Sequence, residues 1–124
     1  MSYPVELKYT REHEWVKLEG ENAYVGITEY AAHSLGDIVY VELPAEGDEF
    51  ASGDVLANVE SVKAVAEVYC PLAGKVLKAN AALEDAPETL NADPYGAWIA
   101  YMSVEEMGEF MDAEAYAQFV ESQG

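Results

Sequence analysis

The residue types that carry out chemistry are thinly supplied in this chain. Its two histidines, His13 and His33, sit in separate segments, and neither has a second histidine at metal-ligand spacing. Both read as ordinary surface histidines. The acidic pairs Glu84-Asp85 and Glu105-Glu106 lack the regular ligand spacing of a calcium loop and read as solvated surface. Cys70, the single cysteine, follows an apolar run with no cation beside it, so it reads as a small inert core residue rather than a nucleophile. No nucleophile-elbow, phosphate-loop or dinucleotide glycine pattern occurs. Lys63 stands apart. It is the only lysine or arginine between Lys17 and Lys75, and strand-like runs at 55–59 and 66–69 flank it. A hairpin folding back here puts Lys63 at or near its tip, yet the usual Asn-Gly or Asp-Gly turn is missing. On the residues alone two readings stay open. One is an exposed, solubilising lysine; the other is an amine offered on a rigid hairpin for covalent modification.

The elements that must position such a residue are mostly strands. Runs at 24–27, 38–43, 55–59 and 76–77 are short and rich in β-branched residues. Gly20, Gly36, Pro44, Gly47, Gly53, Pro71 and Gly74 punctuate them, which predicts a small sandwich or barrel rather than a parallel α/β sheet. Gly36-Asp37-Ile38-Val39, Gly53-Asp54-Val55-Leu56 and Gly74-Lys75-Val76-Leu77 echo one another weakly, as similar hairpin units would. Thr28 is placed to cap a short helix that stops at Gly36. Ser103 with Glu106 has capping-box spacing, and Met107, Phe110 and Met111 would then form one helical face. Asp112 is placed to cap a last helix carrying Tyr116, Phe119 and Val120. Residues 80–93 carry Pro87 and no strand period; they read as a loop with room for one helical turn.

Composition narrows the function classes. A chain of 124 residues, 51% hydrophobic, is expected to fold as one domain spanning 1–124 without metal or disulfide staples. Six Lys and Arg against 24 Asp and Glu give a formal charge of −18. Such a surface repels phosphates, so neither nucleic acid nor an anionic membrane is an expected partner. The first residues lack the charged and apolar regions of a signal peptide, and no apolar run is long enough to span a bilayer. A cytoplasmic protein is expected.

Glu60-Ser61-Val62-Lys63-Ala64, followed by Val68-Tyr69, Pro71 and Gly74-Lys75-Val76, resembles the lipoyl-attachment hairpin of the glycine cleavage system H-protein family. Further blocks resemble the same family in the same order: Tyr9-Thr10-Arg11-Glu12-His13-Glu14-Trp15-Val16, then Val25-Gly26-Ile27-Thr28-Glu29-Tyr30-Ala31. Leu35-Gly36-Asp37-Ile38-Val39, Val41-Glu42-Leu43-Pro44 and Gly47 follow, and then Pro87-Glu88, Leu90-Asn91 and Asp93-Pro94-Tyr95-Gly96. The likeness runs from 7 to 101, and several independent blocks in register are far more specific than one short motif. Two stretches depart from the family pattern. After Lys63 the usual Ala-Ala-Ser-Asp-Val-Tyr-Ala-Pro is altered by Val65, Ala66, Glu67 and Cys70, which removes a hydroxyl close to the lysine. The family's Tyr-Gly-x-Gly-Trp is shortened to Tyr95-Gly96-Ala97-Trp98.

The resemblance implies a mainly β fold, a barrel-sandwich hybrid of two small antiparallel sheets with short helices, including C-terminal helices. It implies lipoic acid amide-linked to Lys63, attached by a lipoate ligase or a lipoyl/octanoyl transferase. It implies a carrier that is not an enzyme. Glycine decarboxylase (P protein) loads an aminomethyl group on the arm, the aminomethyltransferase (T protein) passes the carbon on, and dihydrolipoyl dehydrogenase (L protein) reoxidises the dithiol. It also implies that Glu14 contacts the aminomethyl ammonium in a surface cleft, a role that suits a carboxylate, as structural pairing equally would. The residue chemistry agrees with a swinging arm. Lysine supplies an acylable amine where arginine does not, and the side chain plus lipoyl chain reach about 14 Å by ordinary bond lengths. Two alternatives share these residues: an H-like protein relaying lipoyl groups to other lipoate-dependent enzymes, and an unmodified acidic interaction module in which Lys63 stays free. Biotin carriers fit less well, since they flank their lysine with methionines where Val62 and Ala64 stand here. Acyltransferase lipoyl domains usually place Asp before the lysine and lack the His13-Glu14-Trp15 block.

Overall fold

A computed structural model describes residues 3–123. Strands β1 (Lys8–Tyr9), β2 (Glu14–Glu19) and β3 (Asn22–Ile27) are followed by helix α1 (Glu29–Leu35) and strands β4 (Ile38–Glu42), β5 (Glu49–Phe50), β6 (Val55–Ser61), β7 (Val65–Tyr69) and β8 (Leu72–Ala79). Then come two single-turn helices, α2 (Ala82–Asp85) and α3 (Thr89–Ala92), strands β9 (Ala100–Ser103) and β10 (Glu106–Met107), and helix α4 (Ala113–Gln123). The larger sheet runs β1-β2-β3-β9-β8-β10, with β5 also on β8; the smaller runs β4-β6-β7. Every pairing is antiparallel. This is the barrel-sandwich hybrid, one curled sheet closed by a second. Among the described residues no helix is long and apolar enough to cross a membrane.

The main core lies between the sheets. Val16, Val25, Val59, Leu72, Ile99 and Met102 are fully buried in it, and Cys70 joins them. The Cys70 thiol donates to the Leu72 carbonyl at 3.0 Å, and burial pushes its pKa up to about 11, so it is a protonated core residue as expected. A second, aromatic cluster closes one end. Tyr9 and Tyr116 stack at 4.7 Å, with Leu7 and Trp15 buried around them. Trp15 lies opposite Gly26 in the β2–β3 register and donates its indole N–H to the Pro94 carbonyl at 3.1 Å. The ring occupies the space a side chain at 26 would need: a Cβ there would come within 2.5 Å of Cε2 and Cζ2. Gly26→Ala is therefore expected to cost about 2 kcal/mol, as overpacking does. A urea midpoint lowered at unchanged slope checks it.

Two local expectations need correction. No helix starts at Ser103. Its hydroxyl instead accepts the Lys75 N–H at 3.1 Å, and the Val104 and Glu105 amides donate to the carbonyls of Glu21, in the β2–β3 turn, and Ala73, on β8. Met111 exchanges both backbone hydrogen bonds with Tyr9, at 2.7 and 2.9 Å. The capping-box spacing is real, but sheet partners distant in sequence claim the amides a helix would use. Residues 80–93, expected to hold one helical turn, hold two.

Candidate functional site

Lys63 stands exposed in the turn between β6 and β7. Ser61 supplies the turn chemistry that Asn-Gly would otherwise give. Its hydroxyl oxygen accepts the amides of Lys63 at 3.3 Å and Ala64 at 3.0 Å, while its own N–H donates to the Ala64 carbonyl at 2.8 Å. The tip is not free-standing. The Val62 N–H donates to the Asp37 carbonyl at 3.0 Å, tying the hairpin to the corner between α1 and β4. The lysine stem crosses Gly36 in that corner, with Cε 3.3 Å from where a Cβ on Gly36 would stand. Gly36 ends α1 at φ +82°, a conformation suited to glycine, and it stops the helix that Thr28 caps by accepting the Ala31 N–H. Val62 and Val65, on either side of the lysine, are 69% and 66% exposed. Such apolar exposure is common around docking sites.

Glu14 lies at the start of β2 and is 2% exposed. The strand begins there because His13 adopts φ +69°, uncommon for any residue but glycine. His13 reverses the chain within the loop joining β1 to β2, with its N–H on the Thr10 carbonyl at 3.1 Å and its own carbonyl accepting from Thr28 at 3.0 Å. Glu14 Oε1 accepts from the Thr10 hydroxyl at 2.6 Å, and Oε2 accepts from the Tyr69 N–H at 3.3 Å. Burial outweighs these two donors and pushes the Glu14 pKa up to about 7. A carboxyl this buried, with no cation among its hydrogen-bond partners, is an unusual possession.

Beside it opens a cleft of about 190 Å³, lined chiefly by Ile27, Leu35, Ala66, Val68 and Tyr30, with Glu14, Glu12 and Glu67 as its acids. Lys63 is absent from the lining; Ala66, Glu67 and Val68 of β7 form one wall. They lie three to five residues beyond Lys63, and at about 3.3 Å per strand residue this is roughly 10–17 Å of travel. A lysine side chain lengthened by an acyl chain to about 14 Å would reach the nearer part of that wall.

His13 is not the plain surface residue expected. It is half-buried, and its Nδ1 meets the Tyr116 hydroxyl at 2.8 Å. The Tyr116 oxygen is in turn 2.8 Å from Thr28 Oγ1. Burial holds the imidazole below the usual histidine range, which favours the neutral ring. A neutral ring protonated on Nε2 fits the chain of bonds: Thr28 donates to Tyr116, and Tyr116 donates to Nδ1. Tyr116, Thr10 and Glu67 escaped sequence reading as site residues. Only their place in matched blocks flagged Thr10, and nothing local flagged Tyr116. His33 is exposed, as are Glu84, Asp85, Glu105 and Glu106.

With this geometry in hand, the comparisons with known proteins are specific. The family profile described as Glycine cleavage H-protein matches residues 7–123. The glycine cleavage system H protein of Thermoanaerobacter sp. (strain X514) is 51% identical over 120 residues, covering 94% of this chain and 95% of that protein. The probable glycine cleavage system H protein of Thermococcus gammatolerans is 55% identical over 121 residues, covering 94% and 90%. A crystal structure of a glycine cleavage system H protein from Mycobacterium marinum superposes with a TM-score of 0.89 at 35% identity, covering 94% of this chain and 97% of that one.

Proposed function

The chain belongs to the glycine cleavage H-protein family, and from that premise we propose that it is a cytoplasmic lipoyl carrier whose arm is attached at Lys63. It receives the aminomethyl group from glycine decarboxylase, delivers it to the aminomethyltransferase, and presents the dithiol to dihydrolipoyl dehydrogenase. The observation that carries this reading is the pairing of Lys63 on a braced hairpin tip with an acid-lined cleft whose β7 wall begins three residues further on.

Lipoic acid, when bound, supplies the redox and group-carrying chemistry; the protein supplies the tether, its direction and a place to rest. The residues fit that group. The Lys63 amine is exposed, so an acylating enzyme reaches it without unfolding the tip. The narrow, mostly apolar cleft offers the arm's hydrocarbon a surface out of water. Glu14 lines it as a counter-charge for a cationic amine, an arrangement in which a charged hydrogen bond is worth about 1.5–3 kcal/mol. A tether converts each successive encounter into one at high local concentration.

The test is the intact mass of the natively expressed protein, with the added mass mapped by peptide digestion. One lipoyl amide on Lys63 is expected. A lipoyl group on Lys75 or Lys78, or none after coexpression with a lipoate ligase, overturns the reading.

A further inference from the structure

We propose that Asn91 is a positioning residue for acylation of Lys63, acting through the corner on which the lysine rests; this depends on Lys63 being the attachment site. Asn91 sits on α3, far from Lys63 in sequence, and brackets that corner with both ends of its amide. Its Nδ2 donates to the Gly36 carbonyl at 2.8 Å and more weakly to the Ala32 carbonyl at 3.4 Å. Its Oδ1 accepts the Ile38 N–H at 2.9 Å. The network itself fixes the amide's orientation, since a flipped side chain would set donor against donor and acceptor against acceptor.

Between the two bonded residues lies Asp37, whose carbonyl receives the Val62 N–H one residue before the lysine. Gly36, held on one side by Asn91, is the residue under the lysine stem. The same side chain therefore holds the corner that makes two of the hairpin tip's contacts with the rest of the fold, the Val62–Asp37 hydrogen bond and the Lys63 stem on Gly36. Acyl transfer needs the amine within about 3–3.5 Å of the acyl carbon and correctly aligned. A tip whose seat is already ordered brings less conformational freedom to be lost in the complex.

In the wild-type chain the Val62 amide is expected to exchange slowly with solvent. Asn91→Ala should speed its exchange about tenfold while leaving the Val59 amide protected, because only the corner loosens. The kcat for acylation by a lipoate ligase should fall about tenfold, with KM changed less than twofold, since the exposed docking residues remain. Asn91→Asp keeps the acceptor for Ile38 but turns an oxygen toward the Gly36 carbonyl; it should shift both readouts the same way and serves if the alanine variant does not fold. An unacylated wild-type chain would overturn the attachment reading and this one with it. A wild-type chain that is acylated, with folded variants acylated at the wild-type kcat, overturns the role of Asn91 alone. Uniform loss of protection across β6 and β7, Val59 included, marks Asn91 as merely structural and overturns it too.

Discussion

A Lys63→Arg chain coexpressed with a lipoate ligase is expected to carry no lipoyl group. The reason is chemical rather than steric. Acylation needs a nitrogen that gives up its proton and attacks as a free amine, and a guanidinium, which stays protonated in water, does not. The fold should survive, because the residue is exposed and the bonds that shape its turn are made by backbone and by Ser61. Mass spectrometry reads the loss, and a melting curve superimposed on that of unmodified wild type reads the intact fold. Residual lipoylation of the arginine variant would place the attachment elsewhere.

Glu14→Gln is expected to raise stability at pH 8 and to shorten the life of the aminomethyl-loaded protein. The stability arm follows from linkage. An ordinary glutamate titrates near 4.5, but folded Glu14 titrates at about 7. Below the lower value the carboxyl is neutral whether the chain is folded or not, and it costs nothing extra. Between the two values the unfolded chain loses its proton while the folded one keeps it, so stability falls as pH rises. Above pH 7 the full penalty is in place, about 3 kcal/mol from the size of the shift. Glutamine has no charge to bury and escapes most of that penalty, less the weak bond from the Tyr69 amide. The gap between variant and wild type should therefore be large at pH 8 and nearly closed below pH 4. Urea denaturation at the two pH values measures it. A variant that is less stable than wild type at both would show that Glu14 is held as a structural anion. The lifetime arm follows from the same cost: a group that destabilises the empty fold is retained for a task that needs it. A loaded glutamine variant that lives as long as wild type would remove Glu14 from the cleft's function.

Legibility tracked the range of the forces involved. The Thr28 cap, the Gly36 stop and the Lys63 hairpin were readable because neighbours within a few residues decide them. The four strand runs were found, though β6 and β8 extend beyond the expected ends where pairing continues. The two-residue strands β1, β5 and β10 have no period to detect; partners elsewhere in the chain create them. Ser103 misled for the same reason. Glu14 was singled out only through family likeness, since nothing local marks a glutamate between His13 and Trp15 as buried. Its burial comes from the turn at His13 and from a Tyr69 amide on a strand in the other sheet. Asn91 read as one residue of a loop, and only the folded chain brings it to the α1–β4 corner.

The stacked Tyr9–Tyr116 pair has a practical consequence for anyone trimming this carrier. Helix α4 looks like a detachable tail, with Glu121, Ser122 and Gln123 exposed at its end. Yet its Tyr116 ring fills the aromatic cluster, and its hydroxyl braces the loop that aims Glu14. Fusion of a tag or a second module beyond the exposed end leaves these contacts alone. A shortened version stopping before Ala113 would uncover Tyr9 and Leu7 and release His13 from its hydrogen bond with the Tyr116 hydroxyl. The minimal carrier for engineering thus includes its final helix.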